Sequence, residues 1–599
     1  MLAVLRGKME KVLRVAMEVM SRHHAPDRSL CLLLLLLFLL LGVPMAASTE
    51  QSPARLNKAH EDIMRDILSS AIPPGCGLSN ATILASICNL HTLRSLNLSR
   101  NSFTDLPSQL SPCPMKAELQ VLDLSSNMLS GQLGDFVGFH KLEVLDLSSN
   151  SLNGNISTQL SDLPKLRSLN LSSNGFEGPV PTSIATSLED LVLSGNNFSD
   201  HIPMGLFRYG NLTLLDLCRN NLHGDVPDGF LSFPKLRILV LSENNLTGKI
   251  PRSLLNVTTL FRFGGNQNNF VGSIPQGITR NIRMLDLSYN MLSGDIPSEL
   301  LSPDTLETID LTANRLEGFI PGNVSRSLHS IRLGRNLLGG SIPESIGNAI
   351  DLVNLLLDGN KLVGYIPWQL SRCKNLALID LSSNQVQGNI PIGLGNLEQL
   401  VVLKLQKNNL SGDIPSSFSD MSALEILNLS HNSFTGELPF TNSTQSLKLC
   451  YLGLHGNKLN GVIPSSISLL QSLITIDLGN NKLIGIIPTN IGTFLKLERL
   501  DLSKNYLSGQ VPSSVANLER LMCLFLSDNN LSGPLPELPK WVMVNVTGNP
   551  GIILDTEENR TSGSMKGSQD DFRSLYGSQQ LLLYLDSACP SIGLDQGKN

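Results

Sequence analysis

One phrase recurs through most of the sequence: leucine at three fixed positions followed by asparagine, in the order LxxLxLxxN. Copies run from LRSLNLSRN, which ends at Asn101, to LMCLFLSDN, which ends at Asn529, mostly about 24 residues apart. One degenerate copy, LFRFGGNQNNF, can supply its asparagine from Asn266 or from Asn268. A unit of this length cannot bury its own apolar face, so the units must stack into an extended array.

The leucines and the asparagine of the phrase predict different parts of each unit. In a short strand, alternate leucines point to one face and the intervening residues to the opposite one. Stacked units therefore build one parallel sheet with the variable residues on its concave face. An asparagine amide can both donate and accept hydrogen bonds, which suits it to backbone groups buried between units. A column of asparagines is expected to hold the stack together.

The second half of each unit reads LxGxIPxx, as in SGDIPSEL and TGKIPRSL, with glycine at a close turn and proline in an extended outer segment. This pattern resembles the plant-specific leucine-rich repeat. Residues 93–549 resemble the ectodomain of plant leucine-rich-repeat receptor-like kinases, most closely their orphan members. The resemblance implies an α/β solenoid of about 19 repeats: a superhelix with a parallel sheet on its concave face, short 3-10 or irregular outer segments and a helical N-terminal cap.

The flanking segments suggest a secreted chain. Residues 1–48 contain CLLLLLLFLLLGV between basic residues and MAAS, which is typical of a signal peptide with its leader. A helix-like run in residues 49–92 fits the cap, and the polar residues 550–599 predict a disordered tail. No segment after the repeats could span a membrane, and no glycine-rich nucleotide loop, HRD or DFG motif occurs. The sequence thus predicts an ectodomain without transmembrane helix or kinase, outside the cell or at the plasma membrane surface, attached only through an uncleaved leader or a longer isoform.

Composition and motifs give no support for an enzyme. The charged fraction is 16%, the net charge is −6 and aromatic residues make up 5%, which gives no reason to expect a nucleic acid or an anionic membrane as partner. No HExxH, GxSxG, CxxC or Walker motif is present. The aspartates of the LDLS phrases recur with the repeat, so they are expected to lie side by side as part of the scaffold. They include Asp146, Asp216, Asp286, Asp310 and Asp380. No catalytic residue, cofactor or metal is predicted.

Residues on the concave face that depart from the Asp/Ser background are the candidate ligand-binding residues, because a solenoid usually binds its ligand there. Arginine and lysine can pair with a carboxylate, and tyrosine offers amphipathic contact area. Each one alone could equally be a solvated strand residue. The candidates are Arg262, Tyr289, Arg332, Arg335, Leu356, Asp358, Lys404, Lys407, His431, Tyr451 and His455, with Asn354, Gln406 and Phe525 beside them.

The resemblance implies a peptide or protein ligand and a shorter leucine-rich-repeat co-receptor kinase as partners. Peptide-hormone receptors of this family often carry an RxR pair on one concave strand. In SIRLGRN, Arg332 occupies the second position of such a pair, but Ser330 stands at the first, so no known peptide class can be assigned. Two alternatives stay open: a secreted inhibitor of cell-wall-degrading hydrolases, and a truncated product of a receptor kinase gene that acts as a decoy.

Fifteen NxS/T sequons suggest a glycoprotein, although the NLSG of the repeat produces sequons unaided. A glycan on Asn97, Asn170 or Asn428 would obstruct the concave face. The expected glycosylation sites are Asn80, Asn155, Asn197, Asn211, Asn245, Asn256, Asn323, Asn409, Asn442 and Asn530.

The nine cysteines are too sparse for a disulfide scaffold. Family members carry paired cysteines in their cap, which suggests a Cys76–Cys88 disulfide here. Pairing of Cys88 with Cys113, or no pairing, remains open. Four single cysteines in separate repeats are expected to be free thiols. They are Cys218, Cys373, Cys450 and Cys523.

Overall fold

The computed structural model describes residues 93–104, 113–156, 158–442 and 447–553. Several expectations lie outside the described residues, namely the leader 1–48, the cap 49–92, Asn80, Cys76, Cys88 and the tail from residue 554. The described part contains β-strands, 3-10 helices and turns and no α-helix. None of its helices is long and apolar enough to cross a membrane. The chain divides into two compact units, Met1–Gly272 and Ser273–Asn599.

Each leucine phrase forms a three-residue inner strand that pairs in parallel with the next, so that leucine lies opposite leucine. The middle residue points into the core, as for Leu122, Leu145 and Leu169, which are fully buried. In the first unit the inner strands are Ser95–Asn97, Val121–Asp123, Val144–Asp146, Ser168–Asn170, Asp190–Val192, Leu214–Asp216, Ile238–Val240 and Arg262–Gly264.

The second unit repeats this arrangement. Its inner strands again pair in parallel, with Ile331, Leu355 and Ile379 buried opposite one another. They are Met284–Asp286, Thr308–Asp310, Ser330–Arg332, Asn354–Leu356, Leu378–Asp380, Val402–Lys404, Ile426–Asn428, Tyr451–Gly453, Thr475–Asp477, Arg499–Asp501, Cys523–Phe525 and Met543–Asn545.

The LxGxIPxx halves form the outer side of each repeat. They contain short outer strands, which follow the recurring turn of the inner phrase, and 3-10 helices, most of which begin directly after a proline. The expected short outer segments are therefore confirmed. The outer strands are Ser130–Gln132, Ser151–Gly154, Gly175–Pro179, Asn197–Ser199, His223–Asp225, Asn245–Thr247, Val271–Gly272, Met291–Asp295, Arg315–Glu317, Gln387–Gly388, Asn409–Asp413, Ser433–Thr435, Ile484–Gly485, Tyr506–Gln510, Asn530–Pro534 and Gly551–Ile553. The 3-10 helices are Pro114–Ala117, Met204–Arg208, Phe230–Ser232, Arg252–Asn256, Glu344–Asn348, Trp368–Arg372, Ile392–Asn396, Ser416–Asp420, Pro439–Asn442, Ser465–Leu469, Thr489–Thr493 and Ser513–Asn517.

The asparagine column forms as expected. In a typical repeat, Asn384 Nδ2 donates to the carbonyl of Leu357 in the preceding repeat at 3.0 Å and to that of Leu381 at 3.1 Å. Its Oδ1 accepts from the amide of Leu362 at 3.0 Å. Each such side chain thus satisfies buried backbone groups of two repeats, which would otherwise cost free energy to bury.

The structure also shows which asparagine the degenerate copy uses and where the last repeat ends. In the degenerate copy Asn268 fills the ladder position, because its Nδ2 donates to the Leu241 carbonyl at 2.9 Å. At the other end, outer strand Gly551–Ile553 pairs with strand Asn530–Pro534, so residues 550–553 belong to the last repeat rather than to the tail.

The four single cysteines Cys218, Cys373, Cys450 and Cys523 carry thiols rather than disulfides, as the sequence predicts. Cys113 is buried and disulfide-bonded. Its partner lies outside the described residues, so the expected Cys76–Cys88 pairing stays a prediction.

Candidate functional site

Four residues of each repeat lie on the solvent side of the inner strands, which is the expected concave face and is called the sheet face below. In the repeat of strand Leu378–Asp380 they are Leu378, Asp380, Ser382 and Ser383. We number them positions 1 to 4. The residue at position 4 has a left-handed backbone, with φ of 54° at Ser383, which turns the chain into the ladder asparagine.

The recurring aspartates at position 2 close a turn within their own repeat. Asp380 Oδ1 accepts from the amide of Ser382 at 3.0 Å and from its hydroxyl at 2.6 Å. Asp286 makes the same pair of bonds to Ser288. An aspartate that receives a backbone amide two residues ahead stabilises the turn locally. The expectation that these residues are part of the scaffold agrees with this geometry.

Three candidate cations of the second unit each face an aspartate on the sheet face. Arg332 Nη1 lies 3.7 Å from Asp310 Oδ2, and Arg335 Nε lies 3.8 Å from Asp358 Oδ2. Lys404 Nζ lies 4.0 Å from an oxygen of Asp380. All three distances exceed that of a hydrogen bond. We call these six residues the charged cluster: Asp310, Arg332, Arg335, Asp358, Asp380 and Lys404.

The pKa of Asp358 stands out within the charged cluster. Burial raises the pKa of this carboxyl from 3.8 to about 6, the negative charge of Asp380 adds to the rise, and Arg335 opposes it. The carboxylate lies over Gly334 of the preceding repeat, where any side chain would collide with it. Glycine at position 3 of that repeat therefore lets Asp358 sink into the sheet face, where its charged form is poorly hydrated.

Other candidates border the charged cluster. Leu356 lies in register between Arg332 and Asp380 and offers a half-exposed apolar surface. Lys407 occupies position 4 of its repeat and is exposed. Arg332 has its Nε buried without a hydrogen bond, so the guanidinium has an unused donor at the floor of the cluster.

A second group brings together His431, Tyr451 and His455, further along the same unit. The two histidine rings lie 5.2 Å apart, and His455 is buried with its Nδ1 3.2 Å from Asp477 Oδ1. Asp501, in the next strand, is completely buried; burial and the charge of Asp477 raise the pKa of its carboxyl.

Three residues of this second group were not predicted from the sequence: Asp477, Arg499 and Asp501. Both aspartates match the repeat background, so their type carried no signal. The available signal was Gly479, which replaces the usual serine at position 3 directly after a repeat with histidine there. Arg499 places its guanidinium 4.8 Å from the ring centroid of Phe525, a cation–π contact.

Two candidates do not join these groups. Arg262 belongs to the first unit, where it partly opposes the rise in the pKa of Asp216 that burial causes. Tyr289 occupies position 4 of its repeat, with 44% of its surface exposed. Its nearest repeat across the sheet carries Ala313 at position 4, which adds no binding group.

Most described sequons point to solvent. Seven are exposed, whereas Asn211 is half-buried and accepts from Lys235 Nζ at 2.9 Å. The side chain of Asn442 is outside the described part. On the sheet face, Asn97 and Asn170 donate to Asp123 and Asp146 across neighbouring repeats. The exposed sequon asparagines are Asn155, Asn197, Asn245, Asn256, Asn323, Asn409 and Asn530.

Two family models, both described as leucine rich repeat, match residues 117–176, 186–246 and 374–434, and residues 92–113, 281–302, 472–494 and 496–518. Among solved structures, the plant peptide hormone receptor RGFR1 in complex with RGF2 is 33% identical. The match covers 78% of this chain and 76% of the receptor, with a TM-score of 0.70. The chain belongs to the leucine-rich-repeat receptor ectodomain family.

Other similar ectodomains support this membership. The Arabidopsis receptor kinase HAESA, solved with the peptide hormone IDA and the co-receptor SERK1, is 30% identical with a TM-score of 0.62. That match covers 79% of this chain and 89% of the HAESA chain in the solved structure. The PEPR1–AtPEP1 structure is 30% identical to this chain, with a TM-score of 0.60. That match covers 75% of this chain and 74% of the solved chain. The comparison with curated proteins returns no match.

Proposed function

We propose that the chain is the extracellular recognition module of a receptor-like protein, which captures a peptide or protein ligand on the sheet face of its second unit. The observation that carries the proposal is the charged cluster. Arg332 and Arg335 of one repeat, and Lys404 three repeats further along, each face a carboxylate without a hydrogen bond to it. They can therefore exchange that partner for a carboxylate of a ligand.

The surroundings favour an extended ligand with acidic groups. Arg332 and Lys404 lie at position 2 of their strands, with Leu356 and Asp380 between them in register. If one acidic group of the ligand binds Arg332 and another binds Lys404, the ligand residues between them lie over Leu356. Apolar contact with Leu356 then adds to the affinity. The sheet is rigid and preformed, which limits the conformational entropy lost on binding.

Similar ectodomains provide independent support, since RGFR1 was solved with RGF2 and HAESA with IDA. HAESA was also solved with the co-receptor SERK1. We extend the proposal accordingly: ligand capture by this chain recruits the ectodomain of a co-receptor kinase to its C-terminal repeats, and the signal passes through that partner.

The test uses the full chain from a secretory host and pools of short synthetic peptides with either free or amidated C-termini. We expect retention of peptides with free carboxylates or acidic side chains. The double variant Arg332→Ala, Lys404→Ala should bind them more weakly by roughly a thousandfold, since each of the two lost hydrogen bonds to a charged group contributes about 2 kcal/mol. Arg315→Ala, an exposed arginine on outer strand Arg315–Glu317, is the matched control and should bind normally.

Equal binding by the double variant, or no peptide retained at all, would contradict the proposal. A tight complex with a secreted polysaccharide hydrolase in place of any peptide would instead favour the hydrolase inhibitor. For the co-receptor step, gel filtration of the chain with a SERK1 ectodomain should show a complex only when a retained peptide is present. A complex that forms without peptide would refute that step.

A further inference from the structure

In the second group of the site, two consecutive repeats lack the usual serine at position 3 and carry His455 and Gly479 there. Where other repeats place a serine whose hydroxyl donates to the aspartate at position 2, the strand Thr475–Asp477 is followed by Gly479. Asp477 Oδ1 therefore lacks a hydroxyl donor from its own repeat. It lies 3.2 Å from Nδ1 of His455, which occupies position 3 of the preceding repeat.

The adjacent carboxylate is buried with one oxygen unused. Asp501 is 0% exposed, and its Oδ1 accepts from the amide and hydroxyl of Ser503. Its Oδ2 has no hydrogen bond, and Nη2 of Arg499 is 3.6 Å away, beyond bonding distance. A fully buried carboxylate without full compensation is costly, so its presence points to a further partner.

Polar side chains converge on Gly479 so closely that no other residue would fit there without displacing them. A Cβ at this residue would lie 2.8 Å from His455 Nδ1, 2.9 Å from Asp501 Oδ1 and 3.1 Å from Ser503 Oγ. One ligand atom from each of His455, Asp477 and Asp501 lies within 4.8 Å of the other two. Ligand atoms of His455 and Asp501 thus lie around the position that a serine Cβ occupies in other repeats, with one of Asp477 within 4.8 Å of both.

We propose that His455, Asp477 and Asp501 bind a divalent transition-metal ion, with Zn²⁺ as the best match. One imidazole nitrogen and two carboxylate oxygens are ligands that zinc accepts, whereas Mg²⁺ and Ca²⁺ prefer oxygen alone. Ligand atoms about 2.1 Å from a tetrahedral zinc lie about 3.4 Å apart. The His455–Asp477 distance of 3.2 Å already meets this value. Asp501 reaches it by a small closure of the side chains across the space at Gly479.

Arg499 and the unfilled coordination position complete the arrangement. Arg499 stays beside Asp501 Oδ2 and orients the carboxylate, as groups behind metal ligands commonly do. Three protein ligands leave the fourth position of the ion for water or for a donor from another molecule. Metal binding at this site does not depend on the proposed peptide ligand, because it requires only residues of this chain.

Isothermal titration of the full chain with Zn²⁺, without any peptide, tests the site. We expect one equivalent to be lost or weakened at least tenfold in His455→Gln and in Asp477→Asn. Gly479→Ser restores the usual residue and fills the space, so it should abolish this binding while thermal unfolding stays cooperative. Asp286→Asn is the matched control, because Asp286 closes the same turn in a repeat that has serine at position 3.

Titration with Co²⁺ gives a second readout, since visible absorption bands report the ligands around this ion. Intense bands typical of four- or five-coordinate cobalt should appear in the unsubstituted chain and in Asp286→Asn and vanish in Gly479→Ser. No binding to the unsubstituted chain, or equal binding by His455→Gln and Gly479→Ser, would overturn the inference. Neither result would affect the peptide proposal, which rests on the charged cluster.

Discussion

Replacing Asp358 with asparagine tests the electrostatics of the charged cluster. An unfolded aspartate ionises near 3.8, whereas the folded Asp358 has a pKa of about 6. Between these two values the folded state binds more protons than the unfolded state, so the free energy of unfolding falls as the pH rises through this window. Above about pH 6 the full cost of the buried charge is present. Asparagine keeps the size of the side chain and removes that cost.

The magnitude follows from the difference between 3.8 and about 6. At about 1.4 kcal/mol for each unit of pH, it corresponds to about 3 kcal/mol. Asp358→Asn should therefore stabilise the protein by about 3 kcal/mol near pH 7.5 and by about 1 kcal/mol near pH 4.5. The side chain is 21% exposed, so solvent screening makes these figures upper values.

The assay is urea unfolding followed by circular dichroism at both pH values, for the unsubstituted chain and for Asp358→Asn. Asp351→Asn is the matched control, since Asp351 belongs to the same repeat and is exposed. Its effect should not change between the two pH values. If Asp358→Asn gives the same change at both pH values, or destabilises the protein at the higher one, then burial does not control this carboxyl.

Three further outcomes are expected. Asn384→Ala removes two bonds to the preceding repeat: the Leu362 amide stays buried without a partner, and the Leu357 carbonyl keeps only its bond from Asn360, so the free energy of unfolding should fall by about 2–4 kcal/mol. The exposed neighbour Gln385→Ala should change it by less than about 0.5 kcal/mol in urea titrations. Burial raises the pKa of the Cys373 thiol to about 11, so iodoacetamide near pH 8 should label this thiol only after denaturation. Rapid labelling of the native chain would show that the core around Cys373 is open to solvent. Glycopeptide mass spectrometry of the secreted chain should find glycans at Asn323, Asn409 and Asn530, which are exposed, and bare peptides at all three would refute use of these sequons.

The fold could be predicted almost completely from the sequence, because a single residue type at each repeat position determines the packing. Leucine at the strand centre and asparagine in the turn place each residue on the core or on the sheet face. The degenerate copy was the exception. Asn266 and Asn268 both fit the pattern, and only the bond of Asn268 to the preceding repeat distinguishes them.

The site was predicted in part. Arg332, Arg335 and Lys404 were found because they differ in type from their repeat background. Their partners were harder to predict, since the contact between Arg335 and Asp358 joins position 4 of one repeat to position 3 of the next. Asp501 was missed because its sequence context is ordinary. Its complete burial depends on how neighbouring repeats pack, which a pattern of residue types does not encode.

The spacing of the inner strands also sets a ruler for any peptide that lies across them. Parallel strands are about 4.8 Å apart, while an extended peptide advances about 3.3 Å for each residue. Two repeats therefore match three peptide residues, and the four strand steps from Asp310 to Lys404 match about six. In a stretch of six peptide residues, every third side chain therefore meets an equivalent position of the sheet. Inserting one residue into such a peptide would move all later side chains away from those positions.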